Sequence, residues 1–100
     1  MIYRRAEFKV RKERIGEAEG IIAAFISQVH TNEQETKIYD AFLEEDGLTF
    51  MHLMAFSGVE AEEQHRNTPY LQEFIAKLYP LCEIQPVFIR LSPIGVAKQS

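Results

Sequence analysis

Residues 48–78, which read LTFMHLMAFSGVEAEEQHRNTPYLQEFIAKL, decide the fold. Their first part, from Thr49 to Phe56, is apolar at both odd and even positions, which is typical of a strand covered on both faces. Ser57 and Glu60 then have the spacing of a capping box, in which a serine oxygen and a glutamate satisfy free backbone donors where a helix begins. The pattern predicts a buried strand that ends at Ser57 and a helix that follows it.

The helical part of this stretch is predicted to bend in the middle. A first helix covers Val59 to Arg66 and has an acid-rich, solvated face. Pro69 disfavours helical geometry at Thr68, which can instead cap a second helix with Pro69 at its first position. The apolar stripe of that second helix consists of Tyr70, Leu71, Phe74, Ile75 and Leu78.

The residues before this stretch predict a strand, a helix and a second strand. Residues 3–10 alternate in a partial period of two, which indicates the first strand. Apolar residues recur at helical spacing from Ile15 to Val29, and they predict a helix of about four turns. Residues 36–43 form the second strand, and Asp46-Gly47 then marks a hairpin, because glycine accepts positive φ without a steric clash. The second and third strands should therefore pair antiparallel.

A last strand is predicted at residues 87–91, because Pro86 is tolerated at the start of a strand, most easily at a sheet edge. The element order is then βαββαβ, the ferredoxin-like α+β arrangement, with an antiparallel sheet and both helices on one face. We expect one domain over residues 1–92 and a tail over 93–100. Since the third strand is apolar on both faces and the helices cover only one, we predict a homodimer in which two sheets stack.

Composition excludes several classes of partner. The formal net charge is −4 and the cations are dispersed, so no basic stripe could follow a phosphate backbone, and we expect no nucleic-acid partner. No apolar run approaches the roughly 20 residues of a membrane-spanning helix, and no signal-peptide core follows Met1, so we expect no membrane partner. A single cysteine, Cys82, rules out an internal disulfide framework. We expect a soluble protein of the reducing cytoplasm.

Several runs of sequence resemble the antibiotic biosynthesis monooxygenase family of dimeric α+β barrels, especially its quinol monooxygenase-like branch. The resemblance covers about residues 8–91. It is carried by FMHLMAF at 50–56, VEAEEQ at 59–64 followed by His65, NTPY at 67–70, Phe74, and LYPLC at 78–82. It implies a barrel built from two subunits, with a pocket in each between sheet and helices. It also implies oxygenation of a small electron-rich phenol or quinol by molecular oxygen, with no flavin, haem or metal cofactor.

Two departures from the family pattern bear on function. The usual Glu-Pro-Gly before the second strand is replaced by Glu33-Gln34-Glu35, which alters the turn and need not alter the chemistry. The haem-degrading proteins of similar fold use a first-strand asparagine together with tryptophan and histidine. This chain has no tryptophan, and no asparagine precedes Asn32. We therefore do not expect haem degradation.

The resemblance and strand alternation together nominate the site residues. His65 matches the helix histidine of the family, and Phe56 matches the aromatic position at the end of the third strand. Alternation places Phe50, His52 and Met54 on the face of Phe56. The full predicted set is His65 as catalytic residue and Phe50, His52, Met54, Phe56, Tyr39, Tyr70 and Phe74 as substrate-binding residues. No metal ligands are expected.

Two interpretations of the histidines and tyrosines stay open. His65 can act as a general base, because imidazole titrates near neutral pH, or it can be a structural residue at a helix end, where positive charge is favoured. His52 can line a pocket or be a satisfied core residue. Tyr39 and Tyr70 can offer hydroxyls to a ligand or lie at the margin of the core with their oxygens outward.

Three functional hypotheses follow. The first is a cofactor-independent monooxygenase that acts on a small quinol or polyphenol. The second is a non-catalytic dimeric module that binds a small apolar molecule, for which we expect a cavity that is absent or filled by the protein's own side chains. The third is an isomerase or lyase on the same fold, in which His65 transfers a proton. Fold analogy alone does not separate these chemistries.

Overall fold

Four antiparallel strands form one sheet in this computed structural model, which describes residues 1–96. The strands are β1 (Ile2–Val10), β2 (Thr36–Leu43), β3 (Thr49–Phe56) and β4 (Cys82–Leu91), and their order across the sheet is β2-β3-β1-β4. The helices are α1 (Ile15–Asn32), α2 (Val59–Arg66) and α3 (Pro69–Leu78), with single 3-10 turns at Lys12–Arg14 and Tyr79–Leu81. The predicted ferredoxin-like α+β fold is therefore confirmed, with its second helical region split in two.

The hairpin between β2 and β3 forms as predicted. Gly47 has a φ of 70°, a conformation that glycine adopts without a steric penalty. A carboxylate oxygen of Asp46 accepts hydrogen bonds from the backbone N–H groups of Leu48 and Thr49, each at 2.8 Å. A hydrogen bond from the Thr49 side chain, and then these two backbone donors, lower the pKa of the Asp46 carboxyl. The turn fixes the register in which Ala41 pairs with His52.

The two faces of the sheet differ in what covers them. On the inner face, Phe50, His52, Met54 and Phe56 alternate along β3 and are all buried beneath the helices. Met51 and Leu53 point the other way and are only partly buried. On that outer face the neighbouring strands expose Phe42, Ile84, Val87 and Ile89. Alternation along β3 thus correctly predicts which side chains face the helices.

The predicted capping box is wrong. Gly58, rather than Ser57, is the residue that precedes α2, and no side chain caps the helix. The backbone N–H of Ser57 donates instead to the carbonyl of Glu35 at 2.9 Å. A side-chain hydrogen bond from the same serine also helps to lower the pKa of the Glu35 carboxyl, after that from Lys37. A tertiary contact with the segment before β2 therefore replaces the local cap.

The predicted cap of the second helix is confirmed. The Thr68 hydroxyl oxygen accepts from the backbone N–H of Leu71 at 3.3 Å, and Pro69 is the first residue of α3. The same hydroxyl donates to the carbonyl of His65 at 2.9 Å, so the threonine joins the end of α2 to the start of α3. The break between the two helices is therefore held at both ends by one side chain.

The last strand begins earlier than predicted. β4 starts at Cys82, five residues before Val87, so Pro86 lies within the strand. A proline is tolerated there because β4 is an edge strand, and its register with β1 shifts on both sides of Lys9. Of the predicted tail, residues 97–100 lie outside the described residues. Within residues 1–96, no helix combines the length and apolar character needed to cross a membrane.

Candidate active site

A cavity of about 410 Å³ lies between the inner face of the sheet and helices α2 and α3. This volume is within the range of pockets that bind small molecules. Its apolar wall includes Phe8, Met54, Phe56, Leu71, Phe74 and Phe88. Phe88 lines the cavity and is nevertheless 61% exposed, so the cavity opens toward β4. The chain therefore offers a pocket with a largely aromatic wall and access from one edge of the sheet.

His65 stands at this cavity and is held by a carboxylate. It lies in the last turn of α2, is 5% exposed, and packs its ring against Phe56 at a centroid distance of 5.2 Å. Its Nδ1 is 2.8 Å from Oε1 of Glu33. Because an ionised carboxylate can only accept, Nδ1 carries the proton and Nε2 of the neutral ring keeps a free lone pair. The geometry thus leaves His65 with a proton-accepting nitrogen.

Glu33 is itself fixed by several contacts. It directly follows α1, and its backbone N–H donates to the carbonyl of Val29 at 2.9 Å. Its carboxylate accepts from the hydroxyl of Thr36 at 2.7 Å and from the hydroxyl of Tyr70, in addition to His65. Burial, followed by the bond to Glu33, raises the pKa of the Tyr70 phenol, so this hydroxyl remains a donor. The carboxylate is consequently a rigid acceptor that sets the orientation of the His65 ring.

His52 is the second histidine at the cavity, and its surroundings differ. It lies in the middle of β3, is 1% exposed, and has Nδ1 3.1 Å from the hydroxyl oxygen of Tyr39. Its Nε2 has no hydrogen-bond partner among the described residues. Burial lowers the pKa of His52 to about 4 and raises the pKa of the Tyr39 phenol. Both groups are therefore uncharged at neutral pH.

An ion-pair cluster forms another polar part of the cavity lining. Arg4 binds Glu62 through Nε at 2.9 Å, and Arg66 approaches the same carboxylate at 3.5 Å. Two guanidinium groups share one carboxylate, so the cluster carries a net positive charge. Sequence reasoning missed it, although Arg4 has the same strand parity as the inner-facing Ala6 and Phe8. Glu62 was assigned to the solvated face, yet it is three residues before His65 and so shares a helix face with it.

Six of the eight predicted site residues line the cavity, namely His65, His52, Met54, Phe56, Tyr39 and Phe74. Phe50 does not, because it stacks on Phe8 with ring centroids 5.5 Å apart, near the hairpin end of the sheet. Tyr70 directs its hydroxyl to Glu33 and so supports His65 from outside the cavity. Glu33 was noted only as part of an altered turn, and its contact with His65 spans 32 positions of sequence, which no local pattern reveals.

Fold and cavity together define a ferredoxin-like α+β protein with an aromatic-lined pocket and a carboxylate-bound histidine. Among residues 1–96, no group of three or more His, Cys, Asp or Glu side chains is arranged to hold a metal ion. The polar groups of the site are instead an imidazole acceptor, an unpaired imidazole nitrogen and a cationic cluster.

Solved structures of the same fold carry a common description. A candidate antibiotic biosynthesis monooxygenase from Caulobacter crescentus matches with a TM-score of 0.88 at 21% identity, over 94% of this chain and 90% of its own. Another, from Bacteroides thetaiotaomicron, matches with a TM-score of 0.89 at 15% identity, over 99% of this chain and 94% of its own. A third, from Nitrosomonas europaea, matches with a TM-score of 0.87 at 10% identity, over 95% of this chain and 100% of its own.

These similarities confirm the predicted resemblance to antibiotic biosynthesis monooxygenases at the level of the fold. No protein-family model matches the sequence, and no curated protein matches it. At such low identities the common fold does not carry over a substrate or a reaction. The residues of the site itself must therefore indicate the function.

Proposed function

We propose that this chain is a cofactor-independent monooxygenase that acts on a small quinol or polyphenol. The observation that carries the proposal is His65, whose Nδ1 is bound to Glu33 at 2.8 Å while its ring lines an apolar cavity of about 410 Å³. The apolar wall suits an aromatic ring, and the free Nε2 suits a phenolic proton. The monooxygenase names of the structural relatives support the same reaction class.

His65 supplies the base in this mechanism. Its Nε2 takes a proton from a substrate hydroxyl, and the resulting phenolate is a better electron donor to oxygen than the phenol. Glu33 keeps the ring in the required tautomer and balances the positive charge that forms on it, as a carboxylate does beside a catalytic histidine elsewhere. The buried side chains of Phe56 and Phe74 give the cavity an apolar wall beside the reacting atoms. His65 is therefore the proposed catalytic residue and Glu33 a positioning residue.

The substrate supplies every electron in this reaction. One quinol and one molecule of oxygen give one hydroxyquinone and one water. One oxygen atom enters a ring C–H bond, and the other leaves as water with two hydrogen atoms of the substrate. Oxygen chemistry usually depends on a cofactor, and an electron-rich ring is what replaces it here. The proposal thus restricts the substrate to aromatics that are easily oxidised.

The two alternative hypotheses relate differently to the site. A non-catalytic module was expected to have no cavity or one filled by its own side chains, whereas a cavity is present beside His65. An isomerase or lyase would use the same His65 and Glu33 pair to move a proton between substrate atoms. It would need no oxygen, so oxygen consumption separates it from the monooxygenase.

We also propose that the chain works as a homodimer in the cytoplasm. The outer face of the sheet exposes Phe42 at 50%, Val87 at 55% and Ile89 at 41%, beside the partly buried Leu53. A second copy stacked on this face would remove the apolar patch from water through a self-complementary contact. Small-angle scattering should give the mass of a dimer. A monomer mass that does not change with protein concentration would contradict the proposal.

The direct test of the activity is oxygen uptake with a panel of substituted hydroquinones. We expect uptake well above the rate of autoxidation, with one molecule of oxygen consumed for each hydroxyquinone formed. Labelled oxygen gas should place one labelled atom in the product and one in water. Hydrogen peroxide formed in amounts equal to the quinone, with no labelled product, would indicate plain two-electron oxidation and would contradict the monooxygenase.

A further inference from the structure

The unpaired Nε2 of His52 is the least satisfied polar atom of the cavity. His52 is 1% exposed, and its ring is surrounded by other rings, with Phe8 at a centroid distance of 5.2 Å and Phe74 at 6.2 Å. Among the described residues this nitrogen is the buried side-chain atom without a partner. A buried polar group left without a hydrogen bond is destabilising, and since His52 is one of the residues that line the cavity, an oxygen of a bound ligand is the partner that would satisfy this nitrogen.

The hydrogen bond to Tyr39 decides what this nitrogen offers. If the Tyr39 hydroxyl donates to Nδ1 of His52, one donor, Nε2–H, is left unpaired. If Nδ1–H donates to the phenol oxygen instead, the phenol proton and the Nε2 lone pair are both left unpaired. The first arrangement has fewer buried unsatisfied groups, and the raised pKa of Tyr39 keeps its proton in place. His52 therefore presents an N–H donor.

The two histidines at the cavity are therefore complementary. His65 presents an acceptor nitrogen, because Glu33 holds its other nitrogen in the protonated form, whereas His52 presents a donor. Both rings pack against Tyr39, with centroid distances of 5.6 Å for His65 and 5.5 Å for His52. A single aromatic ligand in the cavity can thus donate a hydrogen bond to His65 and accept one from His52.

We propose that His52 donates its Nε2–H to a carbonyl or phenolate oxygen of the bound ligand, while a hydroxyl of the same ligand donates to Nε2 of His65. The ligand class is accordingly an aromatic with at least two oxygen substituents, and a monophenol or a hydrocarbon fits poorly. Tyr39 is the positioning residue that fixes the donor tautomer. This inference rests on the proposed function in one respect, namely that the cavity is the substrate site.

At His52, a ligand oxygen is favoured energetically over an apolar group that only fills the cavity. A hydrogen bond formed between aromatic walls is stronger than one formed in water, because the local dielectric is low. The lowered pKa of His52 also keeps the ring neutral, so the donor does not demand a charged ligand. The oxygen that meets His52 can therefore be a neutral carbonyl or a phenolate.

Anaerobic binding of two matched probes tests the proposal without any turnover. 6-Hydroxy-1,4-naphthoquinone, called naphthoquinone below, carries carbonyl acceptors for His52 and a hydroxyl that can donate to His65, and naphthalene has the same ring system without these groups. In His52→Leu and His52→Met we expect naphthoquinone to bind roughly tenfold more weakly, the effect of one hydrogen bond. Naphthalene should bind within about a factor of two of the wild-type value, since the apolar wall is retained. In His52→Gln, an amide N–H should restore part of the preference for naphthoquinone.

Thermal unfolding of each variant checks that it is folded, and the pair of apolar replacements guards against one failing to fold. An equal loss of affinity for both probes, or no loss for naphthoquinone, would overturn the proposal, as would a wild-type protein that binds neither. The outcome is separable from that of the proposed activity. Selective naphthoquinone binding without oxygen uptake would support the His52 subsite and contradict the oxygenase. Oxygen uptake together with an equal loss of affinity for both probes would support the oxygenase and contradict the subsite.

Discussion

His52 and His65 are two histidines of the same cavity that have been given opposite chemistry. Both are almost fully buried, both line the cavity and both contact Tyr39. They differ in the group bound to Nδ1, which is the Glu33 carboxylate for His65 and the Tyr39 phenol for His52. A carboxylate accepts a proton and a phenol donates one, so the outer nitrogens are an acceptor and a donor respectively. The partner of a buried histidine, rather than its burial, determines what it offers a ligand.

The elements that carry the two residues support this difference. His52 lies on β3, between β1 and β2, where its pairing with Ala6 and Ala41 fixes the backbone on both sides. His65 lies at the end of α2, with its carbonyl bound by Thr68 and its side chain bound by Glu33. A rigid strand suits a group that recognises a ligand by position. A helix end whose histidine is bound by a carboxylate suits a group that accepts a proton from a ligand.

The largest expected effect is the loss of the base in His65→Ala. General base catalysis contributes typically about 10² to 10⁴ in rate, so the kcat/KM for quinol oxygenation should fall by about that factor. Glu63→Ala is the control on the same helix, because Glu63 is exposed on α2 and does not line the cavity. Oxygen uptake by both variants measures the difference. Equal rates in wild type and His65→Ala would remove His65 from the catalytic role.

The next effect concerns the stability that His52 contributes as a neutral ring. Its pKa is about 4 in the folded protein, against about 6.5 for histidine in an unfolded chain. Between these values the unfolded chain binds more protons, so the free energy of unfolding decreases as the pH falls through this window. The shift corresponds to about 3 kcal/mol lost between about pH 7 and pH 4.

Urea unfolding of wild type and His52→Leu, at one fixed protein concentration, measures this contribution. Other groups titrate in both proteins, so the difference between the two pH profiles isolates His52. The wild type should lose about 3 kcal/mol more than the variant over this range. Parallel profiles would mean that the folded protein does not keep His52 neutral. The proposed role of His52 as a neutral donor would then be wrong.

The smallest effect is expected for Glu33→Gln, which alters the partner of His65 without removing the base. The glutamine oxygen can still accept from Nδ1, but the charge that strengthens the bond is lost, at a cost of about 1 to 1.5 kcal/mol or roughly tenfold in kcat. The KM should change little, because Glu33 does not line the cavity. In a His65→Ala background, Glu33→Gln should have no further effect on kcat. An additive loss would indicate that Glu33 acts independently of His65.

The sequence predicts the fold well because the decisive patterns are local. Alternation along β3 identifies its inner face, Asp46-Gly47 forms the hairpin, and Thr68 caps α3, all within short separations. The prediction for Ser57 fails because a tertiary contact with Glu35 replaces the local cap. The start of β4 is missed because Pro86 was taken to begin the strand, although an edge position accommodates it inside one.

The site is predicted less completely, because it depends on tertiary contacts as well as on local patterns. Strand parity brings His52, Met54 and Phe56 together, and it would also have placed Arg4 at the cavity, had a charged residue been considered on the inner face. The contact between Glu33 and His65 joins the end of α1 to the end of α2, so it depends on how two helices pack. Helical and strand periodicities describe single elements and do not contain this information.

The most direct test of the central claim is the nitrogen-15 spectrum of the two imidazoles at a pH where both are neutral. Couplings between ring protons and ring nitrogens identify which nitrogen of each histidine is protonated. The structure predicts that His65 is protonated at Nδ1, toward Glu33, and that His52 is protonated at Nε2, with Nδ1 accepting from Tyr39. The same tautomer at both residues, or the reverse assignment at either, would contradict the account.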